Sequence, residues 1–214
     1  LKILSIAQVI AQRRRTERLI ERVAEARLPT RYGQFQAIAY KSHVDVGEHI
    51  ALTLGEWSPD EPVLVRIHSE CLTGDVFGSM RCDCGEQIDL ALKQLADEGS
   101  GIFLYMRQEG RGIGLHNKIK AYSLQDQGLD TVEANETLGF EPDLRHYGVG
   151  AQILRDLGVR KLNLLTNNPK KVAGLSGFDL EIVDRIPVEA EVTDENRTYM
   201  KTKKARMGHI LGNC

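Results

Sequence analysis

The chain lacks several things, and each absence narrows what it can be. No apolar run within its 214 residues approaches the length of a membrane-spanning helix. The formal net charge is only −2, so no global excess of either sign implies a nucleic-acid or membrane surface, and any anion site must come from local clustering. There are no internal repeats and no low-complexity linker. No signal-peptide pattern opens the chain, because the apolar stretch Ile3 to Ile10 is short and runs into Arg13-Arg14-Arg15. Cysteine is scarce: three of the four residues are crowded together and the fourth, Cys214, is the last residue. A secreted protein seldom carries such a cluster beside a loose thiol. The expected localisation is therefore cytoplasmic, unless a targeting segment was removed ahead of Leu1. The 42% of apolar residues are enough to build a core.

The crowded cysteines, Cys71, Cys82 and Cys84, fall in a C-x10-C-x-C pattern, with mostly polar residues or glycine around them. Soft thiolates suit zinc. Three protein ligands leave the fourth tetrahedral position to water, which is the layout of a catalytic site. A structural zinc would need a fourth ligand, for which His68 is the nearest candidate, but Glu70 would then be a carboxylate with no task beside a closed site. The bland alternative is three reduced cysteines in a loop.

Along the chain, Ser5 can cap a helix through Ile6, Val9 and Ile10. A period of two over Ala24, Ala26 and Leu28, and again over Phe35, Ala37 and Ala39, predicts a hairpin about Pro29 to Gly33. Strands follow at His49 to Leu54 and Val63 to His68, with the cysteine loop leaving the end of the second. Ile88, Ala91, Leu92 and Leu95 give a helix closed by Gly99, which puts Cys84 at its N-terminus, where thiolates are favoured. Gly101 to Met106 reads as a buried strand; Arg107 to Gly114 is a glycine-rich loop before a helix from Leu115 to Gln127. That layout can bind phosphate, although it is neither G-x-G-x-x-G nor a P-loop, and an ordinary tight turn is the alternative. Thr131 to Arg145 is polar with little periodicity. Lys161 to Leu165 is a strand, followed by Thr166 to Lys171, where Pro169 fits a first helical turn. Leu180 to Ile186 is a last strand. Glu195 to Leu211 reads as a basic helix whose Lys201 to Lys204 face solvent.

An open metal site, Glu70 beside it, two anion loops, and Arg66, Arg107, Arg111, Lys170 and Lys171 suit a polyphosphate whose other end carries a carbon open to metal-assisted hydrolysis. Gln87 could read a base edge. A nucleobase deaminase shares H-x-E at His68 to Glu70 but pairs it with P-C-x-x-C, whereas here the later pair is C-x-C. A structural zinc module binding nucleotide or nucleic acid predicts a fourth ligand and a broadly basic surface, and neither is visible.

Five stretches together resemble GTP cyclohydrolase II: Arg66 to Asp75, Arg81 to Gly85, Arg107 to Leu115, Leu124 to Gly128, and Leu165 to Lys171. The resemblance covers Glu21 to Leu211. It implies an enzyme of riboflavin biosynthesis that opens the imidazole ring of GTP and releases formate and pyrophosphate. The fold it implies is a single mixed α/β domain, residues 21–214, with a mixed sheet and flanking helices, working as a homodimer. Cys71, Cys82 and Cys84 are its implied zinc ligands. Arg66, Ile67, His68, Ser69, Glu70, Gln87, Glu109, Gly110, Arg111, Thr131, Thr166 and Lys171 are the implied GTP contacts, with Mg2+ on the phosphates. Asp143 is implied as proton acceptor and Arg145 as nucleophile, with Tyr122 near the ring-opening chemistry. Spacing alone suggests only a surface ion pair and a core tyrosine. A guanidinium stays protonated at ordinary pH, so the other role open to Arg145 is to stabilise charge on the α-phosphate. Residues 1–20 resemble the junction in bifunctional homologues that carry dihydroxybutanone phosphate synthase upstream.

Overall fold

Burial begins at Leu19 and Ile20. The computed structural model describes residues 3–45, 47–141, 143–145, 147–175 and 178–212, so Cys214 lies outside the described residues. Ahead of Leu19, helix α1 (Ile6–Thr16) starts at Ser5 through a capping box: the Ser5 hydroxyl accepts from the Gln8 amide, and the Gln8 side chain accepts from the Ser5 amide. Past its end, Gln152 receives the Leu19 amide at 2.8 Å and donates to the Glu17 carbonyl at 2.9 Å, which pins the entry to the folded body.

The sheet is built from β1 (Ile20–Thr30), β2 (Gly33–Ser42), β3 (Glu48–Leu54), β4 (Pro62–Ser69), β5 (Gly101–Met106), β6 (Lys161–Leu165) and β7 (Glu181–Ile186). The expected hairpin forms, and its period-two residues pair across it: Ala24 with Ala39, Ala26 with Ala37, Leu28 with Phe35. Strand order is β1-β2-β3-β5-β4-β6-β7, antiparallel from β1 to β5 and parallel from β5 to β7. The expected mixed α/β class is borne out.

Helices cover both faces. On one face, Val65, Ile67, Leu104 and Met106 pack against Val149, Ile153 and Leu154 of α6 (Gly148–Asp156) and Leu175 of α7 (Pro169–Leu175). On the other, Phe35, Phe103 and Leu165 meet Ala91, Leu92 and Leu95 of α3 (Cys84–Glu98), which ends at left-handed Gly99. Truncating Leu95 or Leu154 to Ala would cost about 2–5 kcal/mol. The chain leaves β4 through α3 to reach β5 on one side, and reaches β6 on the other side through α6. Strand β4 is thus the point where the winding reverses, and a crevice opens beyond the carboxyl ends of β4, β5 and β6.

Three parts depart from expectation. The polar stretch after Thr131 contains α5 (Thr131–Thr137), started by Asp130, whose carboxylate accepts from the Val132 and Glu133 amides. Helix α6 escaped the sequence reading because Gly148 and Gly150 lower helix propensity. A β-carbon at Gly150 would lie 3.5 Å from both Leu104 and Met106, so the glycine lets α6 sit close on β5. The C-terminal helix α8 is shorter than expected (Arg197–Ala205), and Lys203 does not face solvent but is buried.

Candidate active site

Cys71 lies between the end of β4 and the short helix α2 (Leu72–Asp75), Cys84 opens α3, and Cys82 lies just before it. The three sulfur atoms lie within 4.8 Å of one another, with Cys71 and Cys82 Sγ 3.6 Å apart. Tetrahedral zinc, with bonds of about 2.3 Å, places sulfurs about 3.8 Å apart, so the trio fits that ion in spacing and in donor chemistry. Gly74 makes room for it: a β-carbon there would fall 2.8 Å from Cys82 Sγ. The remaining candidate ligand, His68, is turned away. Its Nε2 faces Asp75 Oδ1 at 3.1 Å, and burial holds its pKa below the ordinary value, so the ring is neutral. Asp75 also accepts from the Cys71 amide and from the Tyr105 hydroxyl, both at 2.8 Å, and so fixes the first ligand.

The other two thiols donate toward Cys71, and the Lys118 ammonium, 3.1 Å from its sulfur, adds a positive charge; both hold Cys71 as a thiolate. Donation to that thiolate pushes Cys82 up to about 12 and raises Cys84 as well. A bound dication would deprotonate all three. Lys118 also donates to Glu109 Oε1 at 2.7 Å, while the Leu72 amide donates to Glu109 Oε2.

The cysteines open into a pocket walled by one face of α4 (Gly114–Asp126): Lys118, Ala121, Tyr122 and Gln125, at helical spacing. The Tyr122 hydroxyl is 3.3 Å from Thr73 Oγ1. Ser69, Glu70, Glu109, Gly110 and Thr131 also line it, so these expected site residues do come together. Gly110 and Arg111 both have left-handed φ, 61° and 60°, which is costly for the arginine. The Arg111 carbonyl receives the Leu144 amide at 3.1 Å, tying this turn to the segment that carries Asp143 and Arg145.

A second pocket adjoins the first and shares Ser69, Cys84, Arg111, Arg145 and Tyr199 with it. Arg66, Gln87, Thr166, Lys171 and Lys203 line it further in. Its charge is unbalanced. Arg66 donates to the Leu165 carbonyl at 2.8 Å and to the Gln87 side chain, and its Nε has no partner among the described residues. Lys171 donates to the Ile67 carbonyl at 2.6 Å. Arg111, half-buried, donates to the Tyr199 hydroxyl at 3.3 Å, and its NH1 is buried with no partner among the described residues. Among the described residues, these three basic groups thus donate to neutral partners and not to carboxylates. Burial, reinforced by Arg66, Arg145 and Lys203, pushes Lys171 well below its ordinary pKa, and burial pushes Arg66 down to about 10. An anion entering here would relieve that cost.

Asp143 and Arg145 form a largely buried pair rather than a surface one: Arg145 donates to the two carboxylate oxygens from Nε at 2.8 Å and NH2 at 2.7 Å. Burial opposes both charges, but the pairing outweighs it and holds Asp143 below, and Arg145 above, its ordinary pKa. Arg145 NH1 also reaches Ser69 Oγ at 3.4 Å, on the wall between the pockets.

Some expected contacts are placed differently. The Ile67 side chain belongs to the core, and only its carbonyl faces Lys171. Gln87 is engaged at both ends of its amide, by Arg66 and Asp83, which leaves its reading of a base edge without support. Arg107 pairs with Glu48 and Glu70, and Lys170 is exposed; neither lines either of these two pockets. Sequence reasoning missed Lys118, Tyr199 and Lys203. The spacing of Lys118, Ala121, Tyr122 and Gln125 was the available signal for the first.

A family model described as GTP cyclohydrolase II matches residues 21–187. Among curated relatives, the "Riboflavin biosynthesis protein RibBA" of Bacillus mycoides is 59% identical over 211 residues, which is 99% of this chain and 53% of the relative. The RibBA protein of Bacillus cytotoxicus is 60% identical, with the same coverage. The chain therefore spans about half the length of these relatives. Among solved structures, RibBX, a two domain 3,4-dihydroxy-2-butanone 4-phosphate synthase from A. baumannii, is similar at a TM-score of 0.51 and 27% identity, over 87% of this chain and 45% of that one.

Proposed function

The chain belongs to the GTP cyclohydrolase II family, and from that premise we propose that it hydrolyses GTP, releasing formate and pyrophosphate. The remaining product is 2,5-diamino-6-(5-phospho-ribosylamino)pyrimidin-4(3H)-one, and the reaction is the first step of riboflavin biosynthesis. One observation carries the reading: a pocket holding three clustered thiols adjoins a pocket holding three cations whose hydrogen bonds go to neutral groups. A nucleoside triphosphate is divided in the same way, with a base to be hydrolysed at one end and negative charge at the other.

Cys71, Cys82 and Cys84 are the ligands for one zinc ion, which when bound supplies Lewis acidity and lowers the pKa of water. Glu70, Glu109, Gly110, Tyr122 and Thr131 surround the base and ribose. Arg66, Arg111, Thr166 and Lys171 take the phosphates, together with Mg2+. Ser69 and Arg145 stand where the two ends meet, beside the bond to be broken between the α- and β-phosphates. The Asp143 carboxylate holds the Arg145 guanidinium oriented and protonated, which favours a charge-stabilising arginine over a nucleophilic one. His68 serves by fixing Asp75, and through it Cys71.

The working protein is read as a cytoplasmic homodimer. Val76, Phe77 and Met80, exposed on the loop between Cys71 and Cys82, support a surface that a second copy covers. Residues 1–20 are read as an extension or junction ahead of the 21–214 domain, leading to a dihydroxybutanone phosphate synthase domain in a longer protein. That partner is supported by the half-length match to the RibBA relatives and by the likeness to RibBX, itself a two domain synthase of that kind. Metal analysis of the purified protein, followed by assays for formate and pyrophosphate on GTP, tests the function. Protein that holds zinc and magnesium yet releases neither product from GTP would overturn it.

A further inference from the structure

Helix α8 (Arg197–Ala205) lies beyond the segment that matches the family model, yet it reaches the centre of the site. Lys203 projects from it into the protein, and its ammonium donates to both Asp83 oxygens, at 2.9 and 2.7 Å. Asp83 sits between two of the three sulfur ligands and is almost fully buried, as is Lys203. Its Oδ2 also accepts from Gln87 Nε2 at 2.6 Å, and Gln87 in turn accepts from Arg66. With the three cysteines ionised, they and Asp83 together carry four negative charges. Two ammonium groups face them: Lys118 at Cys71, and Lys203 at Asp83. A carboxylate buried beside thiolates without its cation would be expelled toward water, dragging Cys82 and Cys84 with it.

We propose that Lys203 is a positioning residue for the metal site, neutralising Asp83 so that the Cys82–Cys84 loop keeps its three-sulfur geometry. The inference rests on the zinc reading of the cysteines and is independent of the identity of the substrate. Partners that orient metal ligands typically contribute about 10–100-fold to metal affinity.

The test is the rate at which zinc passes from the 214-residue protein to a coloured chelator, measured without substrate. Lys203→Met should release zinc at least about tenfold faster than the unaltered chain. Lys203→Arg, which keeps the charge, should stay close to the unaltered rate, and so should Lys201→Met on the exposed side of the same helix. If Lys203 acts only by neutralising Asp83, the double variant Asp83→Asn with Lys203→Met recovers slow release. That variant also decides the matter if Lys203→Met alone does not fold, since a folded double variant that still releases zinc at least about tenfold faster than the unaltered chain would overturn the proposal. Unaltered release from folded Lys203→Met would overturn it too. An unaltered chain that binds no zinc would instead overturn the zinc reading itself.

Discussion

Arg145 and Asp143, two residues apart, face each other in a fork: Nε and NH2 of the guanidinium each donate to a different carboxylate oxygen, at 2.8 and 2.7 Å. Only a planar group with parallel donors can do this while a third nitrogen reaches Ser69. Arg145→Lys keeps the charge and loses the fork. Turnover on GTP should fall by more than about tenfold, as expected for a lost transition-state contact. Near-normal turnover would reduce Arg145 to a structural ion pair.

The same pair sets a pH expectation. Asp143 is held below the ordinary carboxylate value in the folded protein, so its contribution to stability is fully present above the unfolded value of about 4 and is lost as pH falls through the lower folded one. Neither member changes charge near neutrality. Replacing Asp143 with Asn should therefore lower turnover without moving any inflection of its pH profile between about pH 6 and 8. An inflection in that range that disappears with Asp143→Asn would restore the carboxylate as the base.

Much of the architecture was legible because it follows from simple periods. The α3 stripe of Ala91, Leu92 and Leu95, ending at Gly99, buries one helical face, the continuous apolar run of β5 is buried on both faces, and the period-two residues of the Ala24 to Ala39 hairpin pair in register although β1 is largely exposed. Cys71, Cys82 and Cys84 were legible because three soft donors in so short a span have few other uses. Lys203 was not. A lysine in Lys201-Thr202-Lys203-Lys204 looks like any solvated helix face, and only the fold reveals that Asp83, 120 positions earlier, lies buried opposite it. Asp143 and Arg145 were hidden for a similar reason, because their burial comes from the turn at Arg111 and not from local pattern. Helix α6 was lost to its own glycines, which lower propensity while allowing close packing.

Asp75 gives a prediction about stability. Its carboxylate accepts from the Cys71 amide, the Tyr105 hydroxyl and the neutral His68 ring. Asp75→Ala leaves those donors without their acceptor in the interior, at about 1–3 kcal/mol each. Chemical denaturation should show a loss of at least about 3 kcal/mol, along with weaker zinc retention. A loss under about 1 kcal/mol would mean that water replaces the carboxylate easily.

The last prediction separates the two hydrolytic events. Ring attack is assigned to the pocket with the cysteines, phosphate cleavage to the adjoining one with Arg66, Arg111 and Lys171, and Arg145 stands between them. Cys82→Ser removes one of three metal donors, so the purified variant should contain little zinc. The cations of the second pocket and the Asp143–Arg145 pair do not depend on the Cys82 sulfur for any contact described above. Supplied with GTP and magnesium, the variant should therefore release almost no formate yet still yield pyrophosphate and GMP, resolved by ion-exchange chromatography after circular dichroism has confirmed the fold. Cys84 is the point of risk, because it lines both pockets and could shift when its neighbour is lost. A folded variant that yields neither formate nor pyrophosphate would show that the metal centre gates both steps, and the division of labour between the pockets would be wrong.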